Sequence, residues 1–268
     1  MARKNFLYRV SPDTDQANAF WYAVVQQQRN EGVSMLQKTI LFSGSSAVGK
    51  TSVLRRLIPY MREKGHSPMI CKIDCLESQD GALFRQMGIP AVTGISRDIC
   101  PDHFLVSNLP ELWDHACRRQ CSLLFIETAG LCHRCSPATV RSIAGCVLDC
   151  TASCRAPGQL GPMLLQADFI VPTKTDMVSQ AELEIIRWNL KELNPNARIF
   201  PVDALAGYGV EFLGDWLLSL PDSPSFENDC LRHTMPAGVC SYCVGEQRVG
   251  SSFQQGVVGK IDFQEAVS

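Results

Sequence analysis

Short apolar runs alternate along this chain with longer stretches whose apolar positions recur at helical spacing. The first run, residues 39–43, stops at Gly44, and residues 52–58 then repeat apolar side chains every three or four positions. This predicts a strand, a tight loop and a helix. Further strands are predicted at 69–73 (ending on Asp74), 123–126 (ending on Glu127), 146–149, 169–172 and 199–202. Helical stretches such as 180–192 lie between them. Alternating strands and helices predict an α/β fold, a mostly parallel sheet covered by helices on both faces. Ligands are then expected at the carboxyl ends of the strands.

Three regions are predicted. Residues 1–38 form an N-terminal extension with a helix at 17–28. Residues 39–220 form the α/β domain. From Leu220 the composition changes: Pro221, Ser223, Pro224 and Ser225 mark a linker, and 221–268 is a Cys- and Gly-rich appendage. Such a segment is too short for its own core without a metal or a host surface.

The chain has 268 residues, 46 % hydrophobic and 19 % charged, with a formal net charge of −2. It has no basic stripe of the kind that binds nucleic acid. No apolar run approaches the roughly 18–20 residues that span a bilayer, and the first residues lack a signal peptide's apolar stretch. A cytoplasmic protein is expected. Its cysteines number 13. An odd count in a reducing compartment argues against a disulfide framework and for metal or cluster ligation by some of them. Others are expected as small core residues.

The most specific motif is Gly44-Ser45-Ser46-Ala47-Val48-Gly49-Lys50-Thr51, followed by Ser52. It has the Gly-x4-Gly-Lys-Thr pattern of a P-loop. Backbone N–H groups of such a loop curl around phosphates, the Lys50 ammonium neutralises β and γ oxygens, and the Thr51 hydroxyl holds Mg²⁺. The helix N-terminus adds positive potential. Asp74 and Glu127, each at a strand end, are candidates for the Mg²⁺ shell beside Thr51. With Lys50 they are the candidate catalytic residues. Glu127-Thr128-Ala129-Gly130 places a glycine three residues after the acid, as in a GTPase switch whose glycine amide senses the γ-phosphate.

Base choice falls to Thr173-Lys174-Thr175-Asp176. In the GTPase motif Asn-Lys-x-Asp the acid accepts hydrogens from guanine N1 and N2, and the lysine stem covers the ring. Here Thr173 replaces the Asn, but Asp176 keeps the discrimination for GTP. Asp203-Ala204, followed by Gly207 and Gly209, fits the loop that gives a backbone N–H to the guanine oxygen, with Asp in place of the usual Ser.

The chain resembles the metallochaperone GTPases of the HypB/UreG type, which insert nickel during hydrogenase and urease maturation. These lie within a wider group that includes the cobalamin- and zinc-linked GTPase chaperones. The resemblance covers roughly residues 39–220. Beyond the P-loop it rests on 88–94 (Gly-Ile-Pro-Ala-Val-Thr-Gly), similar to a switch segment, and on Cys100-Pro101-Asp102-His103, similar to a Cys-Pro-His metal motif with Asp102 inserted. It rests also on Phe125-Ile126-Glu127-Thr128-Ala129-Gly130, similar to Phe-Ile-Glu-Asn-Val-Gly, with Cys132-His133-Arg134-Cys135 before Pro137. Ala167-Asp168 and 193–197 fit too. The resemblance implies a GTP-dependent homodimer, with Mg²⁺, that delivers Ni²⁺, Zn²⁺ or a cofactor to a client metalloenzyme or metal-cofactor assembly protein.

Cys132 with Cys135, and Cys240 with Cys243, form two Cys-x-x-Cys pairs. Such pairs join in one four-thiolate site for Zn²⁺, hold a [4Fe–4S] cluster, or share a metal across a dimer axis; a free or redox-active pair is the other reading. Cys100 with His103 is a second candidate metal pair, and His133 and His233 are lesser ones. Cys71, Cys117, Cys121 and Cys146 are assigned to the core, Cys150 and Cys154 are left open, and Cys75 follows Asp74 towards the nucleotide. The alternative function is an ATP- or GTP-dependent iron–sulfur or zinc protein acting as an electron donor, metal sensor or store. Asp176 weighs against ATP.

Overall fold

The computed structural model describes residues 37–76, 80–131, 133–222, 226, 228–233, 245–253 and 259–263. The helix predicted at 17–28 lies outside these residues, as do Cys132, Cys240 and Cys243.

The order of elements is β1 (Lys38–Ser43), α1 (Lys50–Glu63), β2 (Pro68–Asp74), α2 (Asp80–Gln86), β3 (Ala91–Ile95), α3 (Pro101–Arg118), β4 (Leu123–Glu127), β5 (Ile143–Asp149), α4 (Pro162–Leu165), β6 (Phe169–Thr173), α5 (Gln180–Leu193), β7 (Arg198–Ile199) and α6 (Val210–Ser219). The strands form one seven-stranded sheet in the order β3-β2-β4-β1-β5-β6-β7. Every strand pair in it is parallel. Burial on both faces explains why the strands read as continuous apolar runs rather than alternating ones.

On one face α1 and α6 set Leu54, Leu57, Ile58, Leu213 and Leu217 against Ile40, Phe42, Phe125 and Phe169. On the other, α3 packs Phe104, Leu105, Leu109 and Leu112 on Met69, Cys71, Leu124 and Ile126. Farther along that sheet, Ile186 and Leu190 of α5 cover Cys146 and Ile170. The α5 start is fixed by a capping box in which Ser179 and Glu182 exchange hydrogen bonds. Cys71, Cys121 and Cys146 are buried as expected, and Cys150 joins them.

Among the elements for which no range was predicted are β3 and α3. β3 occupies the segment that resembles a switch. α3 begins immediately after Cys100, with Pro101 and Asp102 in its first turn; proline at this position and an acid at the positive helix end are helix-start signals. The last predicted strand is shorter than expected. Only Arg198–Ile199 form a ladder, and Val202 makes an isolated bridge to Thr173. Pro201 between them has no N–H to give.

Beyond Leu220 the described residues lie on a host surface. Phe226, Leu231, Val249 and Ile261 join the α3 core cluster, each worth about 1.5–3 kcal/mol of apolar burial. Asn108 on α3 donates to the Gly259 carbonyl (2.8 Å) and accepts from the Ile261 N–H (3.1 Å). Arg232 pairs with both carboxylate oxygens of Asp168, each at 2.8 Å. Among the described residues no helix is long and apolar enough to cross a membrane.

Strand register sets the site. Phe42 and Lys72 both lie opposite Glu127, and Asp149 lies opposite Thr173. The P-loop and the ends of β2, β4, β5 and β6 therefore share the carboxyl edge of the sheet.

Candidate functional site

The loop 44–49 turns between β1 and α1 with glycine where the backbone demands it. Gly44 has φ +134°, and a Cβ there would stand 2.4 Å from the Val147 carbonyl oxygen. Lys50 is buried. Its ammonium folds back to donate to the carbonyls of Gly44 (3.1 Å) and Ser45 (2.7 Å). Burial lowers its pKa, with Glu127 pulling the other way. An arriving phosphate replaces two neutral acceptors with charged oxygens, which is the stronger bond.

A cavity of about 340 Å³ opens beside the loop, lined by Lys50, Thr51, Lys72, Asp74, Asp80 and Glu127 among others. Thr51 Oγ1 donates to Glu127 Oε1 at 2.7 Å. The other carboxylate oxygen of Glu127, Oε2, is buried with no hydrogen-bond partner among the described residues. Asp74 and Asp80 complete a set of hard oxygen donors with Thr51. That chemistry, and the unmet Glu127 oxygen, fit Mg²⁺.

Two members of this set were not found in the sequence. Lys72 sits two residues before the end of β2 and reaches Asp80 (2.7 Å), Glu127 (2.9 Å) and Asp74 (3.7 Å). A charge inside an apolar strand was the available signal. Asp80 opens α2, after residues outside the described set.

The segment after β4 lies directly on the P-loop. A Cβ on Gly130 (φ +71°) would stand 2.0 Å from the Gly44 oxygen and 3.0 Å from Lys50 Nζ. Ser46 Oγ donates to the Ala129 carbonyl at 3.3 Å. Farther on, His133 Nε2 and Ser45 Oγ are 2.9 Å apart. The Cys-x-x-Cys segment thus touches the phosphate loop through its histidine.

Cys135 is buried, and its thiol donates to Asp102 Oδ2 at 3.4 Å. Burial first, and then nearby Cys100, push the Asp102 carboxyl up to about 7. Asp102, which interrupts the Cys-Pro-His pattern, is therefore the residue that meets Cys135. His103 is fully buried in the first turn of α3, and burial lowers its pKa. Among the described residues no three His, Cys, Asp or Glu side chains are grouped closely enough to hold a metal by themselves, so the acids beside Thr51 would hold Mg²⁺ only together with phosphate oxygens or water. Cys75 accepts from Ser96 Oγ (3.3 Å) and does not line the nucleotide cavity.

At the other end of the loop, Thr173 Oγ1 bonds the Val48 carbonyl (2.8 Å) and the Leu148 carbonyl (3.1 Å). Lys174 adopts a left-handed conformation and pairs with Asp149 at 2.5 Å. Asp149, at the end of β5, was also missed in the sequence. Asp176 is exposed in the turn Thr175–Met177. The Asp203 carboxylate accepts from the Leu205 (2.8 Å) and Ala206 (3.0 Å) amides. It shapes its own turn, as short polar side chains do. Arg56 anchors that turn by donating to the Ala204 and Leu205 carbonyls.

A parallel sheet, a glycine loop over its central edge, a buried lysine and a threonine–carboxylate pair at the helix start define a P-loop nucleotide-binding protein. The comparisons are narrower. Residues 38–201 match the CobW/HypB/UreG nucleotide-binding domain, and the chain belongs to that family. It is 41 % identical over 225 residues to an uncharacterized protein of Methanocaldococcus jannaschii, covering 84 % of this chain and 96 % of that one. It is 25 % identical over 190 residues to the urease accessory protein UreG of Yersinia pestis, 65 % of this chain and 86 % of UreG. Among solved structures, HypB from Helicobacter pylori in complex with nickel aligns with a TM-score of 0.55 at 19 % identity, over 75 % of this chain and 94 % of that one. At that identity the likeness speaks for the fold alone.

Proposed function

We propose that this protein is a GTPase switch of the metallochaperone type. It binds and hydrolyses GTP with Mg²⁺ and couples the nucleotide to delivery of a metal, cluster or metallocofactor to a client protein in the cytoplasm, working as a homodimer. Asp176 accepts the guanine N1 and N2 hydrogens, and Lys174 covers the base. Lys50 and the P-loop amides neutralise the phosphates. Thr51, Asp74 and Glu127 hold Mg²⁺, which supplies charge neutralisation at the β and γ oxygens. Gly130 presents its amide to the γ-phosphate. Cys135, with Cys132, Cys100 and His103 as further candidates and Cys240 and Cys243 from the C-terminal segment, takes the cargo: Ni²⁺, Zn²⁺ or a [4Fe–4S] cluster.

The observation that carries this reading is the His133–Ser45 contact at 2.9 Å. It places a hydrogen bond between the thiol-bearing segment and the loop that closes on phosphate, so a change in one acts on the other.

The test measures Ni²⁺ and Zn²⁺ affinity in the presence of GDP and of a non-hydrolysable GTP analogue, together with phosphate release. The expected result is a difference in metal affinity of about fivefold or more between the two states, abolished by Cys135→Ser, and turnover of GTP. Equal affinity in both states would sink the coupling. Coupling without phosphate release would favour the sensor or store.

A further inference from the structure

Lys72 is a buried lysine that the proposed hydrolysis does not use. Its ammonium lies 2.7 Å from Asp80, 2.9 Å from Glu127 and 3.4 Å from the Thr51 hydroxyl, with Asp74 at 3.7 Å. These four side chains are the oxygen donors that fit Mg²⁺. The ammonium therefore stands where the donors converge. Its ion pairs with Asp80 and Glu127 hold it there as an ammonium.

Charge balance explains why a lysine is held there. Among the described residues the cavity gathers three carboxylates and two ammoniums, those of Lys50 and Lys72. Lys50 donates to P-loop carbonyls, whereas Lys72 lies within ion-pair distance of all three acids in a partly desolvated cleft. Removing it would leave like charges packed together. A free divalent cation entering an otherwise empty site must displace this ammonium and leave it without a partner. When nucleotide phosphates enter with the metal, the displaced ammonium gains anionic oxygens to bond.

We propose that Lys72 is a tethered cation that holds the divalent-metal position while nucleotide is absent and moves onto the phosphate oxygens when metal and nucleotide bind together. The site then refuses free divalent ions and accepts them only with a nucleotide. In a protein that handles metals this separates the nucleotide's Mg²⁺ site from the cargo. The inference rests on the Mg²⁺–GTP reading of the cavity.

The test is Mn²⁺ binding to the full chain, followed by electron paramagnetic resonance, with nucleotide absent and with GDP or GTP. Cys135→Ser serves as the background throughout, so that thiol-bound Mn²⁺ does not count. With Lys72 intact, nucleotide-free protein is expected to bind Mn²⁺ at least about tenfold more weakly than the GDP complex. Lys72→Met is expected to raise nucleotide-free Mn²⁺ affinity about tenfold or more and to lower the preference for GTP over GDP, whereas Lys72→Arg keeps the refusal. Should Lys72→Met not fold, Lys72→Gln gives the same comparison. Nucleotide-free protein with Lys72 intact that binds Mn²⁺ as tightly as its GDP complex overturns the proposal without any Lys72 variant. So does a neutral Lys72 variant with unchanged Mn²⁺ affinity. If GTP binding is normal in either case, Lys72 alone was misread. If the protein binds no GTP, the nucleotide reading falls and this inference with it.

Discussion

The hydroxyl of Thr173 donates to the carbonyl of Val48 across 2.8 Å and so ties the base-reading loop to the phosphate loop. Both groups are buried. Thr173→Val keeps the shape but removes the hydroxyl's hydrogen bond to the Val48 carbonyl. It should cost about 1–3 kcal/mol of stability and weaken GTP binding as the two loops separate. Thr173→Ser should retain most of both. Urea unfolding and calorimetric GTP titration check this, and a Val variant as stable and as tight as the wild type would remove the tie.

Gly130 has no room for a side chain. Its φ of +71° disfavours any other residue, and the Gly44 oxygen lies 2.0 Å from where a Cβ would be. Gly130→Ala should push the switch segment off the P-loop and weaken GTP binding about tenfold, roughly 1.4 kcal/mol, with the circular dichroism spectrum preserved. Unchanged affinity would mean that the two segments need not meet.

Asp176 stands exposed at the turn beyond β6. If it takes the guanine hydrogens, Asp176→Asn loses charge-assisted hydrogen bonds worth about 1.5–3 kcal/mol, roughly ten- to a hundredfold in affinity. GTP binding should fall while weak ATP binding stays where it was. An equal fall for both nucleotides would show that Asp176 does not read the base.

The C-terminal segment should loosen in acid. Glu111 on α3 meets Lys260 at 2.5 Å and Ser251 at 3.3 Å. Burial works to raise the Glu111 pKa, but its bond to Lys260 leads the effects that bring it below the usual value. A depressed folded pKa means that the stabilisation is fully present above the unfolded value of about 4.3 and is lost as pH falls through the folded one. Hydrogen exchange at 259–263 should therefore accelerate below about pH 4.3 relative to the core strands, and Glu111→Gln should flatten that dependence. A wild-type profile as flat as the variant's would exclude the pair as the anchor.

The phosphate loop was legible because it is contiguous: strand, glycines, lysine and threonine follow one another within a single turn of chain. Strand ends at Asp74 and Glu127 were legible for the same local reason. Lys72 and Asp149 were not. What matters about them is that β2 lies beside β4 and β5 beside β6, and a register between strands is written in no local pattern. Asp102 shows another limit. In the sequence it interrupts a metal motif, and only its burial against Cys135 gives it a role. α3 is obscured in the sequence because Cys100 and His103 resemble metal ligands, although Pro101 and Asp102 are ordinary helix-start residues.

The contacts of Phe226, Leu231, Val249 and Ile261 with α3 bear on how the protein can be cut. The family match stops at residue 201, yet the apolar underside of α3 is roofed by Phe226 to Ile261, chain that comes well after it. Trimming to the matched span would strip that roof and lay bare a greasy helix face beside β2. The span that matches the family is thus shorter than the span that closes the core around α3.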